Sequence, residues 1–173
     1  MSDPFANPHE LVRRVYAYAV YRLRNELDAE DVTSETFARA FQYRESFDAR
    51  RGDPAAWLIG IARNCIADAA QKRELPTDEA IDHAVDGHED DALRRIEMRA
   101  AVAQLDERDR ELVALRYGAD LTAKQIGELL DMRTNAVEVA LHRALARLRS
   151  IIEGDEHELN GTKELQWTPR PQD

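Results

Sequence analysis

LDERDRELVALRYGADLTAKQIGELLDMRTNAVEVALHRALARLR, residues 105–149, holds three helical periods in a row, each announced by its own start signal. Leu105 followed by Asp106 opens the first, whose apolar positions are Leu112, Val113, Leu115 and Tyr117, and Gly118 stands where a left-handed C-cap would end it. Thr122 with Gln125 three residues on is a capping box, whose side chains satisfy backbone amides left free at a helix start. Ile126, Leu129 and Leu130 follow; Asp131, Met132 and Arg133 form a short turn. Thr134 then caps a long helix with Val137, Leu141, Ala144, Leu148 and Ile151 inward. A short helix, a three-residue turn and a longer helix with an exposed first turn make a helix-turn-helix arrangement. This module spans 98–152, and the polar residues 153–173 are expected to be a disordered tail.

Working towards the N-terminus, residues 76–97 lose the apolar period: Pro76 and scattered Asp and Glu mark an acidic linker whose second half can turn helical as it enters the next module. Before it, residues 8–75 form another helical module. Leu11, Val15, Tyr18, Ala19 and Leu23 give an amphipathic helix ending near Leu27, and Asp28 is expected to cap a second helix. The buried stripe of that second helix is Ala29, Val32, Thr36 or Phe37, and Ala40; Asp31, Glu35 and Arg39 line the opposite face at four-residue steps. After a polar loop, Asp53 caps and Pro54 opens a third helix, with Leu58, Ile61, Ala62, Cys65 and Ala69 inward and Gly60, Asn64, Asp68 and Gln71 outward. The fold class is therefore all-α, two small helical domains joined by a flexible acidic linker.

The 173 residues are 43% hydrophobic and only 6% aromatic, which supports real cores built from helices. The net charge of −10 is unevenly spread: −1 over residues 1–75, −6 over 76–97, +1 over 98–152 and −4 over 153–173. Near-neutral modules bind DNA weakly alone, since tight binding needs a basic excess to displace counterions, so a partner is expected to supply positive charge. No stretch is long and apolar enough to span a membrane, and the N-terminus is not that of a secretory signal, so the chain reads as cytoplasmic.

Catalytic signatures are absent from the sequence. There is no phosphate-cradling glycine loop, no HExxH and no serine elbow, so the chain reads as a non-enzyme with no cofactor and no metal. His83, His88 and the acids between Asp86 and Asp91 read as solvated linker, and Cys65 as a small core hydrophobe that excludes an internal disulfide by standing alone. On residue type alone, Asp31 and Glu35 are a solvated pair, Trp57 is core, and Arg143, Arg147 and Arg149 are a solvated face.

Their order in one chain changes that reading. DAEDVTSETFARAF (28–41), followed by WLIGIARNCIADAAQKR (57–73), resembles the second conserved region of extracytoplasmic-function (ECF) sigma factors, and residues 105–149 resemble their fourth region. The resemblance implies a protein that binds core RNA polymerase and directs promoter recognition, melting and transcription initiation. Asp31, Glu35 and Arg39 match the surface that grips the clamp helices of the polymerase largest subunit. Trp57, Arg63 and Asn64 match positions that open the minus-ten element and hold a base of the melted strand. Thr134, Asn135, Glu138, His142, Arg143 and Arg147 fall on the helix that reads the duplex minus-thirty-five element. The linker would thread towards the RNA exit path, and an anti-sigma factor is the usual further partner, with promoter DNA the ligand.

One departure concerns specificity: Glu138, Val139 and Ala140 replace the lysine or polar residues common in that recognition helix. Glu138 is repelled by phosphate yet can accept a hydrogen bond from a cytosine amino group. No fused regulatory domain is expected after Ile152. The competing reading, a free-standing helix-turn-helix regulator, leaves the DAED segment without a role, and a helical metalloenzyme would need inward carboxylate and histidine pairs that the sequence does not offer.

Overall fold

The computed structural model describes residues 5–50, 52–72 and 89–164, and all regular structure among them is helical. Helix α1 (Pro8–Leu23) starts on a proline, whose missing amide would be unpaired there anyway, and stops at Arg24 in the left-handed conformation, φ 59°. That stop is four residues earlier than the apolar pattern suggested. The chain reverses over Arg24 and Asn25, and Asn25, not Asp28, caps α2 (Glu26–Gln42): its side chain accepts from the amides of Leu27 (2.9 Å) and Asp28 (3.3 Å). Asp28 instead lies within the first turn, where its carboxylate complements the helix dipole. A single 3₁₀ turn, Arg44–Ser46, leads to α3 (Pro54–Lys72).

Three later helices follow α4 (Glu89–Gln104): α5 (Glu107–Val113), α6 (Ala123–Leu130) and α7 (Thr134–Glu164). Asp106 caps α5 through the Asp109 amide at 2.8 Å, and Thr122 and Gln125 close the expected capping box. Helix α4 takes up the second half of the expected linker, while residues 76–88, with His83 and His88, lie outside the described residues. Helix α7 starts on Thr134, leaving Arg133 in the cap position, and runs past Gly154 into the expected tail; residues 165–173 lie outside the described residues.

Gly118 does not take the left-handed conformation expected of it. The chain widens into a π-helical turn over Ala114–Gly118, with Ala119 N–H donating to the Ala114 carbonyl at 2.9 Å, and the left-handed residue is Asp120, φ 54°. What requires a glycine is proximity to α1: a Cβ on Gly118 would lie 2.9 Å from the Tyr18 Cα and 3.0 Å from the Ala17 carbonyl carbon. Gly127, within α6, is equally constrained by the turn before α7: a Cβ there would sit 2.6 Å from the Met132 carbonyl oxygen.

Two helical modules are thus present, and they are docked. One core holds Val15, Tyr18, Leu58 and Ile59 from the first module together with Leu112, Leu115, Leu121 and Ile126 from the second. A smaller core of Ala101, Val102, Leu105, Val113, Ala144 and Leu148 ties α4 to α5 and α7. Double packing explains why the buried stripe of α3 is Leu58, Ile59, Ala62, Cys65 and Ile66, leaving Ile61 and Ala69 half-buried: α3 meets α1 and α2 on one side and α6 on another.

At the centre of this junction lies Glu111, only 9% exposed. Its carboxylate accepts from the Tyr18 hydroxyl (3.0 and 3.2 Å), from Arg63 Nε (2.9 Å), and pairs with Arg22. A buried carboxylate without partners is costly; three donors from α1 and α3 supply the compensation, and all three come from the other module. Burial, and then the Glu111 charge, raise the Tyr18 phenol above its ordinary value.

Two expectations follow from this packing. Gly127→Ala should lower stability by about 1–3 kcal/mol through overpacking, whereas Gly60→Ala, whose Cβ would meet only Leu129 Cδ1 at 3.6 Å, should be neutral or stabilising; urea unfolding distinguishes them. Tyr18→Phe should cost about 1.5–3 kcal/mol at neutral pH, the value of a hydrogen bond to a charged group. The raised phenol pKa gives that effect a pH sign: the folded state keeps a proton that the unfolded chain loses above about pH 10, so the Tyr18 contribution is full below that pH and falls as pH rises beyond it. Stability measured from pH 8 to 11 should therefore converge between the two proteins at the alkaline end.

Candidate functional site

Three exposed surfaces carry the residues singled out in the sequence. On the first, α2 presents Asp31 and Glu35 to solvent. Arg39 does not stand free beside them: its Nε donates to Glu35 at 2.6 Å and its Nη1 to Asp68 of α3 at 2.7 Å. Those two carboxylates, Asp68 first, raise the guanidinium pKa. Arg39 therefore clamps α2 to α3 and neutralises part of the patch, leaving a shallow, net acidic depression rimmed by Asp31, Glu35 and Asp68 over Cys65. Burial pushes the Cys65 thiol up, which leaves it a packing residue and not a nucleophile. Asp68 had been read only as part of a polar helix side; its role depends on a contact to a residue 29 positions away.

The second surface surrounds the start of α3. Trp57 is half-buried and tilted against Phe47, ring centroids 5.3 Å apart, at the edge of a cleft of about 340 Å³ that also takes in Ser46, Asp48 and Asp53. An aromatic pair beside open polar groups suits stacking of an unpaired base. Asn64 is exposed. Its neighbour Arg63 is a quarter-turn round the helix and points elsewhere, with Nε on Glu111 and Nη1 at 3.3 Å from the Leu129 carbonyl oxygen. The far wall of the cleft is α6, through Gln125, Glu128 and Leu129, and Gln125 donates to Asp53 at 3.1 Å. Neither Phe47 nor Glu111 was singled out in the sequence.

The third surface is the first part of α7. Val137, Leu141 and Ala144 are buried, and this register turns Thr134, Asn135, Glu138, His142 and Arg143 outward together with Val139, 51% exposed. The left-handed Asp131, φ 54°, and the Met132 amide bonded to the Gly127 carbonyl at 2.8 Å fix the entry angle of α7 on α6. Arg147 behaves differently: its guanidinium pairs with the buried carboxylate of Asp109, which raises the Arg147 pKa and ties α7 to α5. Among the described residues, no three His, Cys, Asp or Glu side chains converge as a metal set.

These surfaces fall within two recognised segments. Residues 9–75 match the model for Sigma-70 region 2 and residues 95–148 that for Sigma-70, region 4. The chain is 31% identical over 166 residues to the ECF RNA polymerase sigma factor ShbA of Streptomyces griseus, covering 84% of this chain and 87% of that protein. It is also 31% identical over 150 residues to the ECF RNA polymerase sigma factor BldN of Streptomyces coelicolor; that match takes in 82% of this chain and 57% of BldN, so this chain spans little more than half of BldN. In fold it is similar to the sigma factor RpoE of Bartonella quintana, solved in complex with the anti-sigma factor NepR, with a TM-score of 0.69 at 19% identity over 83% of this chain and 92% of that one. With both regions present in order and a relative matched over most of its length, the chain belongs to the ECF family of RNA polymerase sigma factors, which act in promoter recognition and transcription initiation.

Proposed function

We propose that the three surfaces divide the work of a promoter-specificity subunit among them. The domains proposed are 8–75 for core polymerase and the minus-ten element, 98–152 for the minus-thirty-five element, and 76–97 as the acidic connection between them. The net acidic patch of Asp31 and Glu35, held by Arg39 and Asp68, docks on the clamp helices of the polymerase largest subunit. Trp57, Arg63 and Asn64 receive the melted minus-ten strand, with Trp57 and Phe47 offering an aromatic wall. Thr134, Asn135, Glu138, His142 and Arg143 read the upstream duplex, and Arg147, committed to Asp109, supports the module from behind.

The observation that carries this reading is the register of α7: the packing of Val137, Leu141 and Ala144 leaves a contiguous polar face on the first turns of the second helix of a helix-turn-helix. An anti-sigma protein is the further partner proposed, by analogy with the complex of RpoE and NepR. Site of action is the cytoplasm; no described helix is long and apolar enough to cross a membrane. The chain acts through binding and performs no catalysis of its own.

Reversing both Asp31 and Glu35 to Lys should weaken binding to core polymerase while lowering stability by only about 1 kcal/mol, most of it from the lost surface pair of Glu35 with Arg39. Unchanged affinity of the folded double variant for core polymerase would remove the first assignment. Glu138→Lys should alter the upstream sequence chosen from a randomised pool, because a base-edge contact is worth about 1–3 kcal/mol of discrimination, and should raise general affinity by removing a charge that phosphate repels. An identical selected sequence would reduce Glu138 to a solvated helix charge.

A further inference from the structure

Val139 is the one exposed large apolar side chain of α7 among the described residues, 51% exposed, and it belongs to neither core. It stands in the second turn of the helix, on the outward face set by the burial of Val137, Leu141 and Ala144. Side chains three and four residues apart are neighbours on a helix surface. Val139 is therefore flanked by Asn135 and Ala136 on one side and by His142 and Arg143 on the other, all four exposed. An apolar group thus sits at the centre of a face whose rim donates and accepts hydrogen bonds.

A single exposed valine elsewhere on a surface needs no explanation. This one occupies the first turns of the second helix of a helix-turn-helix, the part that meets base edges in the major groove. Each base pair shows its own pattern of donors and acceptors there, and the apolar mark in that pattern is the thymine 5-methyl group. Valine suits this mark because its β-branch holds χ1 in essentially one rotamer within a helix. Its two methyl groups are already placed, and little freedom is lost on contact. Ala136 has no atoms beyond Cβ to hold the helix off the bases, and Asn135, one turn before Val139, has the amide geometry that pairs with adenine N6 and N7.

We propose that Val139 is a specificity-determining residue that reads a thymine 5-methyl group in the upstream duplex, packed against it in the major groove with Asn135 and Arg143 making polar contacts on either side. The inference rests on the assignment of α7 to that duplex and adds the base feature that α7 selects. Burying one methyl group is worth about 0.8 kcal/mol, which at 1.4 kcal/mol per tenfold is about fourfold in affinity. Val139→Ala removes both γ-methyl groups and with them most of the reach towards the base.

The test uses holoenzyme assembled from core polymerase and the full chain, unmodified or as Val139→Ala. Alanine is the better helix former, so the variant should keep its fold, which circular dichroism checks, and should bind core polymerase as the unmodified chain does. An upstream element is first selected from a randomised duplex pool with the unmodified holoenzyme. Each thymine in it is then replaced singly by uracil, which removes the 5-methyl group and leaves base pairing and O4 in place. At one position the replacement should cost unmodified holoenzyme about fourfold in affinity, and the Val139→Ala holoenzyme less than about twofold. Comparing the two proteins on the same pair of duplexes cancels any effect of uracil on DNA shape. A selected element in which no thymine is sensitive to uracil, or whose sensitive position stays equally sensitive in the variant, overturns the assignment of Val139. Weaker binding of the folded variant to core polymerase does so too, since it would place the side chain on a protein partner. Failure of the underlying reading has a different signature: with no upstream sequence preference at all in the selection, both fall.

Discussion

A carboxylate taken out of water has to be matched by donors, and the arrangement of this molecule turns on the one at Glu111. Its partners, Tyr18, Arg22 and Arg63, belong to two helices of the other module. Because an uncompensated buried charge is so unfavourable, the contact acts more like a registration pin than a source of net stability. It sets how α5 lies across α1 and α3. The close approach at Gly118, the Arg14 grip on the following loop and the position of α6 over the Trp57 cleft follow from that placement.

Local chemistry made much of the fold legible. The Thr122 and Gln125 capping box, Asp106 as a cap, Pro54 at the start of α3 and the inward register of α7 each depend on residues within a turn or two of one another. The cap of α2 was misplaced: Asp28 was expected, but the left-handed reversal at Arg24 ends α1 early and brings the cap forward to Asn25. Gly118 was legible as a constrained position but not for its reason, which is a helix roughly a hundred residues earlier in the chain pressing on it. The Glu111 network was illegible for the same cause, since Tyr18 and Arg63 lie 93 and 48 positions away and no periodicity links them.

The site residues divide along that line. Asp31, Glu35, Asn64, Thr134, Asn135, Glu138, His142 and Arg143 are exposed, as their helical register required. Arg39, Arg63 and Arg147 are the three whose surroundings could not be read, each paired with a carboxylate from another helix. Arginine has a fork of donors and a long apolar stem, so its partner is set by tertiary packing more than by its helix face.

Charge accounts for the dependence on a larger partner. Both helical modules are near neutral, the acidic excess lies in residues 76–97 and 153–173, and the first module offers an acidic patch in place of a basic one. Such a chain gains its hold on DNA from the assembly it joins. Run-off transcription with purified core polymerase and a library of genomic fragments tests this most directly. The account predicts discrete, reproducible start sites that require both the chain and core polymerase, with the isolated chain binding the same duplexes poorly at physiological salt. Tight, sequence-specific duplex binding by the isolated chain, with no new starts when core polymerase is added, would contradict it.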